Sequence, residues 1–143
     1  MDRGIGMKKI GVWIPLALLL AAAFAYLGMT MNQEAAASTL YIDESIRIDI
    51  GANTAPAHSM QEVEFIVTVS DVAGVPVGGQ DLQVVLSMPG MFCGSFPAVV
   101  TERETGTYAA VGVPVMRGRW QAEVRVDMGG KQVRVGHPFQ VVS

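Results

Sequence analysis

From Ser38 to the C-terminus, apolar side chains recur at every second position, and this period constrains the fold more than any other feature of the chain. Val63, Phe65, Val67 and Val69 form one such row, and Trp120, Ala122, Val124 and Val126, alternating with Gln121, Glu123 and Arg125, form another. Successive side chains of an extended chain point to opposite faces, so each row makes a strand with one face for a core and one for water. No stretch after Ser38 has the three- and four-residue apolar spacing that an amphipathic helix needs.

Further rows complete the set. Leu40, Ile42, Ile46, Ile48 and Ile50 predict a first strand, with a slip near Glu44. Glu62 to Ser70 is the second, and Leu82, Val84 and Leu86 the third. Pro97 to Glu104, Thr107 to Val113, Trp120 to Val126 and Lys131 to Phe139 follow, the last with Val133 and Val135 inward. Turn signals separate them: Asp71 to Gly79 around Pro76, Thr105-Gly106, and Asp127 to Gly130. The prediction is an all-β, immunoglobulin-like antiparallel β-sandwich of about seven strands over residues 38–143.

Residues 1–37 differ in kind. Arg3, Lys8 and Lys9 precede an apolar run from Ile10 to Leu27, the layout of a signal peptide or transmembrane anchor followed by a linker. Ala23-Phe24-Ala25 and Ala35-Ala36-Ala37 both have the form of a cleavage site; an uncut anchor is the favoured reading, and the basic N-terminal flank would hold its N-terminus inside and the globular part outside. No Cys follows the apolar run within the linker, which disfavours a lipoprotein. The expectation is an extracytoplasmic domain, membrane-anchored or secreted.

Charge and composition exclude several functions. Acidic residues outnumber basic ones, 13 to 10, with no basic run, so nucleic acid is not an expected partner. With 2 His and no Ser or Cys in a nucleophile-elbow setting, no hydrolase constellation forms. Gly78-Gly79 lacks the Lys and helix of a phosphate loop. Trp13 lies in the apolar run and Trp120 in a core row, leaving little aromatic platform for a carbohydrate. Neither an enzyme nor a small-molecule substrate is expected. The single Cys, Cys93, cannot form an internal disulfide.

Met88-Pro89-Gly90-Met91 carries the most chemistry. Pro then Gly at the centre is the order of a type II turn, which brings its first and fourth residues within about 7 Å between Cα atoms. Two thioethers can then aim at one point, and soft sulfur favours Cu(I) over the divalent ions. The alternative is two Met side chains filling the end of a core.

Strand parity enlarges the set. In an antiparallel sandwich alternate connections fall at opposite ends, which places His58, Met60, the Met88 to Cys93 segment, Met116 and, at the end of the last strand, His137 at one pole. Met128 alone among the later methionines goes to the other. Met88, Met91, His58, Met60, Cys93 and Met116 are the candidate copper ligands. The ordinary readings stand beside these: Cys93 as a small buried hydrophobe, which its place next to Phe92 favours, Met116 as a core residue, and Arg117 and Arg119 as a solvated strand edge.

Val63 to Val126 resembles a YtkA-like domain of the FixH family. The resemblance rests on Asp71, Gly74, Pro76 and Val77, on Met88-Pro89-Gly90-Met91, on Gly106-Thr107-Tyr108, and on Pro114-Val115-Met116 with Gly118-Arg119-Trp120. It implies a small extracytoplasmic β-sandwich tethered by an N-terminal helix and engaged in copper handling or haem-copper oxidase assembly. Met88, Met91 and Met116 match the family pattern, whereas Phe92-Cys93-Gly94-Ser95-Phe96 departs from it. Two functions are expected on this basis: a membrane-tethered Cu(I)-binding module serving a respiratory oxidase or copper transporter, or an interaction module that binds a membrane protein complex without metal.

Overall fold

The computed structural model describes residues 18–24, 38–92 and 94–143, and the chain forms two compact units, Met1–Glu34 and Ala35–Ser143. In the first, residues 18–24 are helical with exposed side chains. No helix among the described residues is long and apolar enough to cross a membrane. Most of the apolar run, and the linker, lie outside the described residues, as does Cys93.

The second unit is a two-sheet β structure of ten strands: β1 (Thr39–Ile42), β2 (Arg47–Ala52), β3 (Ala57–His58), β4 (Val63–Ser70), β5 (Asp81–Ser87), β6 (Ser95–Pro97), β7 (Val99–Glu104), β8 (Thr107–Gly112), β9 (Gly118–Met128) and β10 (Lys131–Val142). The sheets run β1-β2-β4-β8-β7 and β3-β10-β9-β5-β6. Three short strands account for the excess over the seven predicted. The slip near Glu44 is a hairpin turn between β1 and β2, closed by the Asp43 N–H donating to the Ile46 carbonyl (2.9 Å). Pro97 ends β6, and the chain then leaves the β5 sheet to join β8 as β7. The two-residue β3 pairs parallel to the end of β10, against an otherwise antiparallel ladder.

The alternating rows meet between the sheets. Ile48, Ile50, Phe65, Val67 and Val69 from one sheet face Val84, Leu86, Ala122, Val124 and Val126 from the other, all buried. Each such side chain contributes about 1.5–3 kcal/mol when fully buried. Trp120 lies inside this layer, its ring 5.8 Å from Phe96 and 6.4 Å from Phe139, and its Nε1–H donates to the Met116 carbonyl (2.9 Å).

The pole without methionine clusters is closed by polar contacts. Glu102 accepts from the backbone N–H of Gly79 (3.1 Å) and Gly106 (3.2 Å), and the Tyr108 hydroxyl accepts from Gln80 N–H (3.1 Å). Asp71 Oδ1 accepts from the N–H of both Ala73 and Val75 at 2.9 Å, folding the loop on itself. Lys131 Nζ donates to Asp43 Oδ2 at 2.7 Å, and this hydrogen bond, with that from the Glu44 N–H, holds the Asp43 carboxyl below its ordinary value. Gly106 has a φ of 76°, and a Cβ there would lie 2.6 Å from the Val69 carbonyl oxygen.

Candidate functional site

The opposite pole receives the ends of β2, β5, β8 and β10 and the starts of β4 and β9. The Met corner sits where β5 ends. Met91 N–H donates to the Met88 carbonyl (3.2 Å) and Gly90 has a φ of 82°, as the third residue of a type II turn requires. The two side chains diverge in environment. Met88 continues the inward row of Leu82, Val84 and Leu86: it packs on the core, and a Cβ added to Gly118 would lie 2.6 Å from its terminal methyl. Met91 is 53% exposed, and Phe92 beside it is fully exposed.

Two more loops bring thioethers to this end. Met60 is 71% exposed and has a positive φ of 61°, a conformation that costs a non-glycine residue about 1–2 kcal/mol. It is held there by its N–H, which donates to the Pro114 carbonyl (2.8 Å) in the loop between β8 and β9. That loop also carries Met116, 38% exposed, whose own carbonyl is fixed by Trp120. His58 is exposed in β3, with Nδ1 3.2 Å from the Ser143 carbonyl oxygen. Arg117 and Arg119 follow Met116, both exposed. Met128 lies at the other pole and packs against the core.

His137 is not at this pole. It lies within β10, opposite Ala122 and four residues short of the Val141–Gly118 pair, and it is 2% exposed. Its ring is edge-on to Phe65 (5.9 Å), and Nδ1 is 2.9 Å from Thr39 Oγ1 on β1. The physical reason is parity: His137 follows Val133 and Val135 on the inward face. Burial pushes its pKa below the ordinary 6.5. A depressed folded-state pKa means that the neutral ring stabilises the fold above pH 6.5, and that this contribution is lost as the pH falls through the folded pKa. In urea denaturation from about pH 7.5 to about pH 5, the wild type is expected to lose up to about 1.4 kcal/mol per pH unit more than His137→Gln below the crossover. Parallel profiles would contradict this.

Among the described residues no group of three or more His, Cys, Asp or Glu side chains is placed to hold a metal ion. The donors available at the tip are thioethers, which are neutral and soft and carry no proton to lose. Phe92 and the 38% exposed Val113 are the tip residues that the sequence reading passed over. The available signal was an aromatic residue in a turn, outside any period-two row.

The molecule is thus a two-sheet β-domain with solvent-exposed methionines and a phenylalanine on its loops at one end. No family model matches the chain, and no curated protein matches it. Solved structures are similar in fold. One is a DUF4426 family protein from Pseudomonas aeruginosa PAO1 (TM-score 0.54, 11% identity, covering 72% of this chain and 93% of that one). Another is the Lin-41 filamin domain (TM-score 0.53, 18% identity, 66% and 91%). A third is a DUF4785 family protein from Legionella pneumophila (TM-score 0.53, 11% identity, 67% of this chain), of which this chain spans only 28%. At these identities the likeness establishes the β-sandwich fold alone.

Proposed function

We propose that the domain is an extracytoplasmic, membrane-tethered Cu(I)-binding module of the YtkA-like type, with an immunoglobulin-like sandwich as scaffold and no enzymatic activity. The observation that carries this reading is the delivery of exposed thioethers by three separate loops, Met60, Met91 and Met116, to one pole. Met88, which packs on the core at the start of the Met corner, and His58 and Cys93 are further candidates for completing a three- or four-coordinate site. Exposed thioethers exchange Cu(I) without moving a proton, which suits delivery to a respiratory oxidase or copper transporter. A second reading, a metal-free interaction module for a membrane complex, draws support from the full exposure of Phe92, which cannot be a ligand.

Titrating residues 38–143 with Cu(I) against a coloured chelator under reducing conditions tests the first reading. One tightly bound equivalent is expected. Replacing Met60, Met91 and Met116 together by Leu should weaken it at least about tenfold, or 1.4 kcal/mol. Met88→Leu with Met91→Leu keeps apolar volume and separates the readings: copper affinity falls under the first, and partner contact persists under the second. Failure of the wild type to compete for Cu(I) would overturn the copper reading.

A further inference from the structure

We infer that the methionine-rich tip docks on the surface of a lipid bilayer, with Phe92, Met91, Met60 and Met116 entering the headgroup boundary. This goes beyond the copper reading and does not depend on metal. Three observations converge on it. The first is the tip itself: apolar side chains at the ends of three loops, with Phe92 fully exposed, form the kind of surface that partitions into the interface between headgroups and acyl chains.

The second is charge. Arg117 and Arg119 are exposed beside Met116, and among the described residues neither takes part in a salt bridge. An open depression next to them is lined by Arg117, Gly118 and Gln140 to Ser143. On the acidic side of this end are Glu62, and Glu64 paired with Arg103. The far pole is different in character: Glu44, Asp71, Asp81, Glu102, Glu104 and Asp127 lie on its turns and strand ends, against Arg47 and Arg103, with Asp43 and Lys131 paired to each other. Such a distribution turns the tip toward an anionic surface and the far pole away from it.

The third is where the chain enters. Thr39 pairs with Ile50, two residues from the tip end of β2, whereas Ile42 pairs with Arg47 at the far end. β1 therefore starts beside His137, in the middle of the sheet, and runs away from the tip toward the far pole. Residues 28–38 separate Thr39 from the apolar run Ile10 to Leu27, and eleven residues extend at most about 40 Å. A linker of that reach permits the tip to meet a membrane surface, on the reading above that the apolar run is an anchor.

The test uses the full chain in vesicles of phosphatidylethanolamine and phosphatidylglycerol, with or without bromine on the acyl chains. In a Trp13→Phe background, an indole is introduced by Phe92→Trp, or, at the far pole, by Val72→Trp, where the native side chain is 61% exposed. Buried Trp120 supplies a constant signal, and far-UV circular dichroism checks the fold. Flotation first reports whether the chain is membrane-bound, which tests the tether separately from the docking.

The expected result is that brominated lipid quenches most of the emission added by Phe92→Trp and little of that added by Val72→Trp. Adding Met60→Asp and Met116→Asp should abolish the difference while flotation persists. Equal quenching at the two positions would overturn the inference, as would floating chains with no quenching at position 92, which would leave the tip open to a protein partner instead. A chain that does not float would overturn both the tether and the docking.

Discussion

Truncating Trp120 to alanine is expected to cost about 3–5 kcal/mol in urea denaturation followed by far-UV circular dichroism. The indole is 1% exposed and neighbours Phe96 on β6 and Phe139 on β10, so its removal leaves a cavity in the core layer. Its effect reaches the tip, because Nε1–H fixes the Met116 carbonyl. Trp120→Phe separates the two roles. It keeps most of the apolar volume, loses about 0.5–1.5 kcal/mol with the hydrogen bond, and loosens the loop that presents Met116. A cost below about 1 kcal/mol for Trp120→Ala would show that the indole is not the centre of the core.

Gly106→Ala is expected to cost about 2–5 kcal/mol, from a left-handed conformation worth about 1–2 and overpacking worth about 1–3. At a φ of 76° the new Cβ would lie 2.6 Å from the Val69 carbonyl oxygen and 2.9 Å from both Pro76 Cβ and Val77 N. Two of those three are backbone atoms, held in place by Val69 N–H donating to the Gly106 carbonyl (2.7 Å) and Val77 N–H donating to the Val69 carbonyl (2.9 Å). Gly129→Ala is the control: its φ is 59° and nothing lies within 4 Å of its Cβ, so only the conformational cost of about 1–2 kcal/mol remains. Equal melting temperatures for the two variants would refute the close approach at Gly106.

Much of the sandwich was legible in the sequence because burial on one face writes itself as a period of two. β4, β5, β9 and β10 lie where Val63 to Val69, Leu82 to Leu86, Trp120 to Val126 and Lys131 to Phe139 predict them. Turns that only perturb the period were harder to read. Asp43 to Ser45 looks like a slip in one strand but reverses the chain, and Pro97 interrupts a run that changes sheets. β3 has two residues and is held by pairing to β10, a contact far away in sequence that no local pattern encodes.

At the site, parity was informative and incompletely applied. It brings the loops of Met60, Met91 and Met116 to one pole, but extended along the strands it also turns Met88 inward after Leu86 and His137 inward after Val135. The exposure of Phe92 was illegible for a different reason: nothing in a loop sequence distinguishes an aromatic residue that folds back on the core from one that does not.

The C-terminal end of β10 bears on how this domain should be handled. Val142 pairs with His58, and the Ser59 N–H donates to the Val142 carbonyl (2.8 Å), so residue 143 leaves the fold beside the exposed imidazole and the loop of Met60. A polyhistidine tag fused there would set a row of borderline nitrogen ligands next to the thioethers, and a metal titration would report the tag's affinity mixed with the domain's. The Gly129-Gly130 turn at the far pole is the better place for an affinity handle, since an exposed loop tip tolerates insertion and lies the whole length of β9 from Met60, Met91 and Met116.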